Sequence, residues 1–120
     1  MPKHPIVHIE IAAKDPKATA GFYSSLFDWK IETDENMGYV MFQGEPGPGG
    51  GFPKIDNEMY KPGDVVVYIE TDDIDATLKK IVALGGKVLA PKTEIPQMGW
   101  FAFFSDPNGN RLALYTDMPK

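Results

Sequence analysis

Three ionisable side chains occupy alternate positions in two strand-like segments, where they could perform acid–base chemistry. His8 and Glu10 lie two residues apart in IVHIEIAA, and Glu70 follows Tyr68 with the same spacing in VVVYIET. Side chains two residues apart on a strand point to the same face, so each pair is expected to converge. A carboxylate tuned by burial can act as a base with an imidazole as its partner. His8, Glu10 and Glu70 are therefore the candidate catalytic residues, and the alternative is ordinary carboxylates that reach water at strand ends.

An aromatic segment, GWFAFFS at 99–105, could supply a stacking wall for a ligand. Trp100 and Phe104 share one face of this predicted strand, and Phe101 and Phe103 share the other. One set should pack under a helix and the other should line a cleft. Periodicity alone does not decide between them, and we take Trp100 and Phe104 as the cleft set.

The last predicted strand, NRLALYT, carries a cation on the same face as a small residue and a phenol. Its arginine could pair with a carboxylate or phosphate of a ligand, or with Glu70 across the sheet. We expect a ligand-binding cleft lined by His8, Tyr68, Trp100, Phe104, Arg111, Ala113 and Tyr115.

Composition excludes several classes of function. The chain has 120 residues, which fits one domain, and 42% of them are hydrophobic. Its formal charge of −5 argues against nucleic acids and anionic membrane surfaces as partners. Because there is no cysteine, disulfides, thiolate metal sites and cysteine nucleophiles are excluded. No apolar stretch resembles a signal peptide or a membrane span, so a cytoplasmic location is expected.

The sequence predicts two copies of one pattern, strand–helix–strand–strand–strand. The first module spans about residues 5–56 and the second about residues 64–117. A shift of 58 positions aligns the two predicted helix starts, with Asp15 matching Asp73 as N-cap. In the first helix, the apolar residues at positions 18, 22 and 26 predict one buried stripe. The first module's last strand is predicted near residues 51–55, after a turn through EPGPGGG.

This arrangement resembles the vicinal oxygen chelate superfamily, which includes glyoxalases, extradiol dioxygenases and bleomycin-resistance proteins. The resemblance rests on HIEIAAKDPKATAGFYSSLFDW in the first half, and on DDIDATLKKIVALGGKV and SDPNGNRLALY in the second. It implies an α+β fold in which two tandem βαβββ modules form a cleft between curved mixed sheets. One scaffold can host many sites, so the resemblance does not specify a reaction.

Metal-dependent members of that superfamily use ligands on cleft-facing strands, usually His, then Glu or Gln, then His, then Glu. His8 matches the first position, and the region around GGGFPK offers no ligand for the second. The third position falls on Val66 or on Tyr68, depending on how the strands are matched, and the fourth falls on Ala113. One match cannot supply the several donors that a divalent ion requires. We therefore expect no cofactor and disfavour a divalent metal.

Three functional hypotheses follow. The favoured one is a protein that binds a small organic molecule in an apolar cleft without a metal. The alternative is an enzyme of the glyoxalase, lyase, isomerase or dioxygenase type, with a rearranged metal site or metal-free acid–base chemistry. A third possibility is a module that binds partners through exposed sheet edges. A homodimer is a further expectation, because modules of this kind can be exchanged between protomers.

Overall fold

The computed structural model describes residues 4–119 of the chain. These residues contain two helices and eight strands, in the predicted order of βαβββ followed by βαβββ. They divide into two compact units, of which residues 7–66 form one, and residues 4–6 with 67–119 form the other. We call these units the first and the second module, and we assign each strand to the module that holds most of its residues. The predicted α+β architecture of two βαβββ modules is confirmed.

The first module contains β1 (Ile6–Ile11), α1 (Pro16–Phe27), β2 (Lys30–Asp34), β3 (Tyr39–Gln43) and β4 (Gly49–Gly51). Its strands are ordered β2-β3-β4-β1. β1 and β4 are parallel, and the other neighbours are antiparallel. The predicted position of the last strand is wrong, because the glycines assigned to a turn form β4 itself.

Helix α1 begins where the sequence predicts. The Asp15 carboxylate accepts a hydrogen bond from the backbone N–H of Ala18 at 3.2 Å, and Pro16 takes the first helical position. The helix ends at Phe27, because Asp28 adopts a left-handed conformation with φ of 58°. These local signals are enough to set both ends of the helix.

The predicted buried stripe of α1 is wrong. Phe22 and Leu26 are 60% and 57% exposed, and Ala18 is exposed as well. The side of the helix that packs on the sheet instead carries Ala20, which is 3% exposed, and Tyr23. The helix has apolar residues on two faces, and local periodicity cannot tell which face the sheet will cover.

The core of the first module is aromatic. The Trp29 ring stacks on Phe42 with centroids 4.4 Å apart and on Tyr23 at 5.3 Å. Phe52 lies 5.1 Å from Phe42 and is 1% exposed. Because Ala20 has only a methyl side chain, these rings can pack close to the helix backbone.

The second module contains β5 (Val65–Glu70), α2 (Ile74–Ala83), β6 (Lys87–Ile95), β7 (Gly99–Ser105) and β8 (Arg111–Asp117). Its strands are ordered β5-β8-β7-β6, with β5 and β8 parallel and the other neighbours antiparallel. Within the described residues, neither helix is long and apolar enough to cross a lipid bilayer.

The core of the second module is mainly aliphatic. Asp73 caps α2 by accepting a hydrogen bond from the backbone N–H of Ala76 at 3.0 Å, as predicted. Ile74 and Leu78 point from the helix into a cluster with residues of β7 and β8. The helix therefore has one apolar face, in contrast with α1.

The turn between β7 and β8 holds Arg111 and the rest of β8 in register. Gly109 donates its N–H to the carbonyl of Asp106 at 3.0 Å and has a φ of 88°. The Asp106 side chain accepts from the backbone N–H groups of Asn108 and Asn110. A hydrogen bond from the Asn110 side-chain amide, together with these backbone bonds, holds the pKa of Asp106 below its usual range. The segment is therefore a structural turn.

Candidate functional site

A buried carboxylate in the first module accepts hydrogen bonds from two phenols. Glu10 is 6% exposed. Tyr39 donates its hydroxyl to Oε2 of Glu10 at 2.8 Å, and Tyr60 donates to Oε1 at 2.6 Å. Hydrogen bonds to an ionised acceptor are about twice as strong as neutral ones, and they compensate for the removal of the carboxylate from water. The two phenols therefore hold Glu10 in a defined orientation.

His8 joins this network through the same phenol. Its Nε2 lies 2.9 Å from the hydroxyl oxygen of Tyr39. Because the single hydroxyl proton of Tyr39 is donated to Glu10, the Tyr39 oxygen must accept from His8, which places a proton on Nε2. The result is a directional chain of hydrogen bonds from His8 through Tyr39 to Glu10, on one face of β1.

Glycines in β4 allow Tyr39 to reach β1. Because β4 lies between β3 and β1, the Tyr39 side chain must pass over β4 to reach Glu10. A Cβ atom added to Gly51 would lie 2.0 Å from the Tyr39 hydroxyl oxygen and 2.1 Å from Cζ. Any side chain at position 51 would displace the phenol, so the glycine strand and the network depend on each other.

The second phenol is presented by the loop that follows β4. The Asp56 carboxylate accepts hydrogen bonds from the backbone N–H groups of residues 58–60, each at 2.9 Å. The Tyr60 carbonyl accepts in turn from the N–H groups of Asp56 and Asn57, both at 3.0 Å. The hydrogen bonds to its carboxylate, led by the one from the Tyr60 N–H, lower the pKa of Asp56. The loop is thereby folded on itself, and the Tyr60 ring points at Glu10.

Burial sets the protonation of the network. It raises the pKa of Tyr39 far above the ordinary phenol value, with further contributions from the charge and hydrogen bond of Glu10. Burial also lowers the pKa of His8, partly offset by the nearby Glu10 charge. At neutral pH the phenol of Tyr39 and the imidazole of His8 are therefore both uncharged.

A depression of about 360 Å³ adjoins the network on the first module. This volume lies at the lower end of the range for pockets that hold small molecules. Its lining mixes an imidazole, a thioether, an amide and charged groups of both signs. Prominent among these residues are His8, Lys30, Glu32, Met41, Gln43 and Glu45.

Several predicted cleft residues of the second module form a separate cluster on one face of its sheet. Tyr68 pairs in register with Ala113, and Ala113 pairs with Phe103. The Tyr68 and Phe103 rings meet edge to face at 6.3 Å. The Arg111 guanidinium lies over the Phe103 ring at 5.0 Å, a cation–π contact. The contacts of this cluster therefore involve two aromatic rings and one cation.

The assignment of Trp100 and Phe104 to the cleft set requires correction. Both side chains pack against the buried cluster beneath α2, on the opposite face from Tyr68. Phe101 and Phe103 occupy the face shared with Tyr68, and their centroids are 5.3 Å apart. The helix covers the even-numbered side of β7, which strand periodicity could not specify.

Glu70 belongs to the second module, whereas His8 and Glu10 belong to the first. Its carbonyl accepts a hydrogen bond from Nδ1 of His4 at 3.0 Å, and its backbone pairs in register with Tyr115. Burial raises the pKa of Tyr115 to about 12, with smaller contributions from Asp117 and Glu70. Of the predicted catalytic residues, the structure links His8 with Glu10 through Tyr39.

The donor set does not fit the divalent metal of metal-dependent superfamily members. Among residues 4–119, no group of three or more His, Asp or Glu side chains is placed to hold an ion. In the pairing of β1 with β4, Glu10 lies opposite Gly51, which offers no side-chain donor. The corresponding pair in the second module, Tyr68 with Ala113, offers a phenol and a methyl group.

Sequence reasoning missed Tyr39 and Tyr60. Two sequence signals could have pointed to Tyr39: its place on the polar side of an alternating strand, and the glycines of the next strand, which leave space for a long side chain. Tyr60 carries no such signal, because its approach to Glu10 depends on the shape of a loop.

Comparison with protein families gives one match to nearly the whole chain. The family model described as the glyoxalase/bleomycin resistance protein/dioxygenase superfamily matches residues 5–114. The match covers every helix and nearly all of the strand residues described above.

Curated relatives agree with this match. A glyoxylase-like domain-containing protein of Didymella fabae is 35% identical over 117 residues, covering 90% of each chain. The putative glyoxylase CFP32 of Mycobacterium bovis is 31% identical, covering 89% of this chain and 43% of the relative. The anthracycline biosynthesis protein DnrV of Streptomyces peucetius is 30% identical, with coverages of 88% and 44%. The chain thus spans less than half the length of the latter two.

Solved structures share the fold at low identity. A glyoxalase/bleomycin resistance protein/dioxygenase superfamily member from Vibrio splendidus has a TM-score of 0.67 at 13% identity, covering 96% of this chain and 100% of that chain. A methylmalonyl-CoA epimerase in complex with methylmalonyl-CoA has a TM-score of 0.66 at 23% identity, with coverages of 95% and 94%. At these identities the likeness concerns the fold alone.

Proposed function

We propose that this chain, which belongs to the glyoxalase/bleomycin resistance protein/dioxygenase superfamily, binds a small organic molecule beside the His8–Tyr39–Glu10 network without a metal. One observation carries the proposal. The phenol of Tyr39 engages both the imidazole and the carboxylate of β1, the two groups that could otherwise act as metal ligands or bases. Because hydrogen bonds hold the imidazole and the carboxylate in place, the two groups favour a rigid binding surface over a metal site or a base.

The adjoining depression supports the same function. It offers both hydrogen-bond donors and acceptors around the Met41 side chain. That side chain can contact an apolar ring or chain of a ligand. The names of similar proteins also point to organic ligands, since one is an anthracycline biosynthesis protein and another holds methylmalonyl-CoA. A cytoplasmic location and a cleft-type site remain predictions from the sequence.

Binding can be tested by NMR titration of the isotope-labelled chain with an anthracycline and with methylmalonyl-CoA. We expect amide shifts for at least one probe that cluster around His8, Lys30 and Met41. The variant Met41→Lys should abolish these shifts, because it places a charge in the depression. Met98→Lys is the matched control, since Met98 is an exposed methionine of the second module. Shifts elsewhere, or none with either probe, would contradict the proposal.

The metal-free part of the proposal needs its own measurement. Elemental mass spectrometry should find no stoichiometric divalent metal in untagged protein purified without a chelator. A metal that is present in the wild type and absent from His8→Ala would overturn this part, because it would make His8 a ligand of a site with rearranged donors.

A second candidate function is metal-free acid–base catalysis, and the protonation of His8 favours it. An imidazole that is neutral at neutral pH and hydrogen-bonded through Tyr39 to a carboxylate can take up and release a proton. Its test is exchange of the proton α to the thioester carbonyl of methylmalonyl-CoA in deuterated buffer. Catalysed exchange that is lost in His8→Gln and in Tyr39→Phe would favour an enzyme. Binding without exchange would leave the binding function.

A further inference from the structure

A loop of the first module covers the buried carboxylate with a phenol. Of residues 56–63, all of which the structure describes, Tyr60 alone is half-buried and the others are exposed. We call this segment the Tyr60 loop. The phenol donates to Oε1 of Glu10 at 2.6 Å. This hydrogen bond therefore ties an otherwise exposed loop to the buried network.

The Tyr60 loop is attached at both of its ends to the residues that follow β1. Just before the loop, Ile55 donates its N–H to the carbonyl of Ala13 at 2.9 Å. Just after it, the carbonyl of Asp64 accepts from the N–H of Ala12 at 3.0 Å. The carboxylate bonds described above fold the loop on itself. The loop can therefore tilt about its attached ends and withdraw the phenol without losing these internal bonds.

The two phenols on Glu10 are held in different ways. Tyr39 belongs to β3, whose backbone pairs with β2 and β4, and it donates to Oε2 of Glu10. Tyr60 belongs to a loop and donates to Oε1. When the loop withdraws, Tyr39 still holds the carboxylate in place, but Oε1 loses the Tyr60 donor. Because the loss of a donor from a buried charged acceptor is costly, Oε1 then favours a ligand that supplies one.

We propose that Tyr60 occupies a subsite for the hydroxyl of an aromatic ligand, and that the Tyr60 loop is a lid which such a ligand displaces. In the bound state, the ligand hydroxyl donates to Oε1 of Glu10 in place of the Tyr60 hydroxyl. The chain's own phenol indicates the ligand class, because the subsite already accommodates a ring with a hydroxyl group. An anionic group is disfavoured here, because it would lie at hydrogen-bonding distance from a carboxylate.

This subsite goes beyond the binding proposed for the depression. The depression adjoins His8, at one end of the hydrogen-bonded chain, whereas the subsite adjoins Glu10, at the other end. Binding at one of them can therefore be detected without binding at the other.

Tyr60 itself competes with a free phenol for Glu10. A group tethered by a short flexible segment acts at an effective concentration in about the millimolar range. A phenol that makes few other contacts should therefore bind the wild type weakly. Removal of the Tyr60 ring should strengthen its binding, which a purely structural role for Tyr60 does not predict.

NMR titration with p-cresol, the tyrosine side chain as a free molecule, tests the proposal. Tyr60→Ala should bind p-cresol at least about tenfold more tightly than the wild type, with amide shifts clustered around Glu10, Ala12 and Ala13. Toluene has the same ring and methyl group without the hydroxyl. It should bind Tyr60→Ala at least about tenfold more weakly than p-cresol, because it cannot donate to Oε1.

Two further variants make the result specific. Tyr60→Phe keeps the ring and loses the hydroxyl, so it should fold as the wild type does and bind p-cresol with intermediate affinity. Tyr115→Ala is the matched control, because Tyr115 is a half-buried tyrosine of the second module whose hydroxyl donates to the Met98 carbonyl at 3.2 Å. It should gain no affinity for p-cresol.

Circular dichroism establishes whether each variant is folded. Equal p-cresol affinities in the wild type and in Tyr60→Phe would overturn the proposal even if Tyr60→Ala did not fold. Equal binding of p-cresol and toluene to Tyr60→Ala, or an equal gain in Tyr115→Ala, would overturn it as well. If the probes of the depression fail to shift residues around Lys30 and Met41, the function proposed above fails, and the p-cresol results still decide the subsite.

Discussion

The two modules have the same strand order and nearly the same length, yet one carries a polar network where the other is aromatic. With the shift of 58 positions, Glu10 corresponds to Tyr68. Their strand partners, Gly51 and Ala113, occupy corresponding places in the parallel pairings. Glu10 and Tyr68 are about equally buried, at 6% and 7% exposure. The first module compensates for a buried charge with two phenols, whereas the second fills the same place with rings.

This difference indicates how a duplicated fold can specialise one half. A β-strand scaffold presents each position to a defined face, so one substitution changes the chemistry of that face without altering the topology. The cost of burying a carboxylate then has to be offset by nearby donors. The hydroxyls of Tyr39 and Tyr60 are those donors, and the all-glycine strand β4 leaves the space that Tyr39 needs. All of these features belong to the first module.

The largest effect is expected from removing the buried acceptor. Glu10→Leu leaves the hydroxyls of Tyr39 and Tyr60 without this partner, and each unsatisfied buried group costs about 1–3 kcal/mol. We expect a total loss of about 3 kcal/mol in the free energy of unfolding, measured by urea denaturation. Glu70→Leu in the second module is the control and should cost less than about 1 kcal/mol, since Glu70 is only partly buried. Equal losses would remove the distinction between the modules.

Gly51→Ala should be the next most damaging change. The new methyl group would collide with the Tyr39 ring, and overpacking of this kind typically costs about 1–3 kcal/mol. The hydrogen bonds of Tyr39 should be lost as well, which NMR of the His8 ring nitrogens would detect. Gly21→Ala serves as the control: its site in α1 is open, and alanine should stabilise the helix by roughly 0.5–1 kcal/mol. If Gly51→Ala left the free energy of unfolding unchanged, the network would not depend on the glycine strand.

Tyr39→Phe makes the first module resemble the second, in which Phe101 holds the corresponding place. The ring is retained and the hydroxyl removed, so we expect a loss of about 1–2 kcal/mol on thermal or urea unfolding. The comparison variant is Tyr115→Phe, whose hydroxyl donates to the Met98 carbonyl at 3.2 Å near the surface. It should cost less than about 1 kcal/mol. A larger loss for Tyr115→Phe would reverse the proposed asymmetry.

The smallest effect concerns pH. Because burial lowers the pKa of His8 below its ordinary value of 6.5, the unfolded chain binds a proton more readily than the folded chain in that range. Stability should therefore fall as the pH drops below about 6.5, and His8→Gln should reduce this loss. His4→Gln removes the exposed histidine of the second module as a control. Urea denaturation at several pH values measures the effect, and identical profiles for His8→Gln and the wild type would exclude the shift.

Local signals in the sequence account for most of the fold. The N-cap aspartates, the glycine at position 109 and the strand alternation each act over a few residues, so their consequences can be read along the chain. The β4 strand is the exception among the elements. Its glycines have the composition of a turn, and only pairing with β1 and β3 makes them a strand.

The candidate site divides in the same way. His8 and Glu10 were identified from the sequence because two-residue spacing places them on one face. Their shared partner Tyr39 could not be identified, because it lies 29 residues from Glu10 in sequence and reaches it only over Gly51, which has no side chain. The cleft set on β7 was assigned wrongly, since Trp100 and Phe104 face the helix. Which face a helix covers depends on packing over the whole module.

The sequence by itself determined the superfamily, the two βαβββ modules, the helix starts and the alternation of strand faces, because each depends on neighbouring residues or on a repeated pattern. Only the tertiary structure decided which face of each element is covered. It thereby decided that Glu10 is buried against Tyr39 and Tyr60, and that Phe22 and Leu26 lie exposed on α1. The physical reason is that burial and long-range hydrogen bonds depend on the joint packing of segments that are distant in the chain.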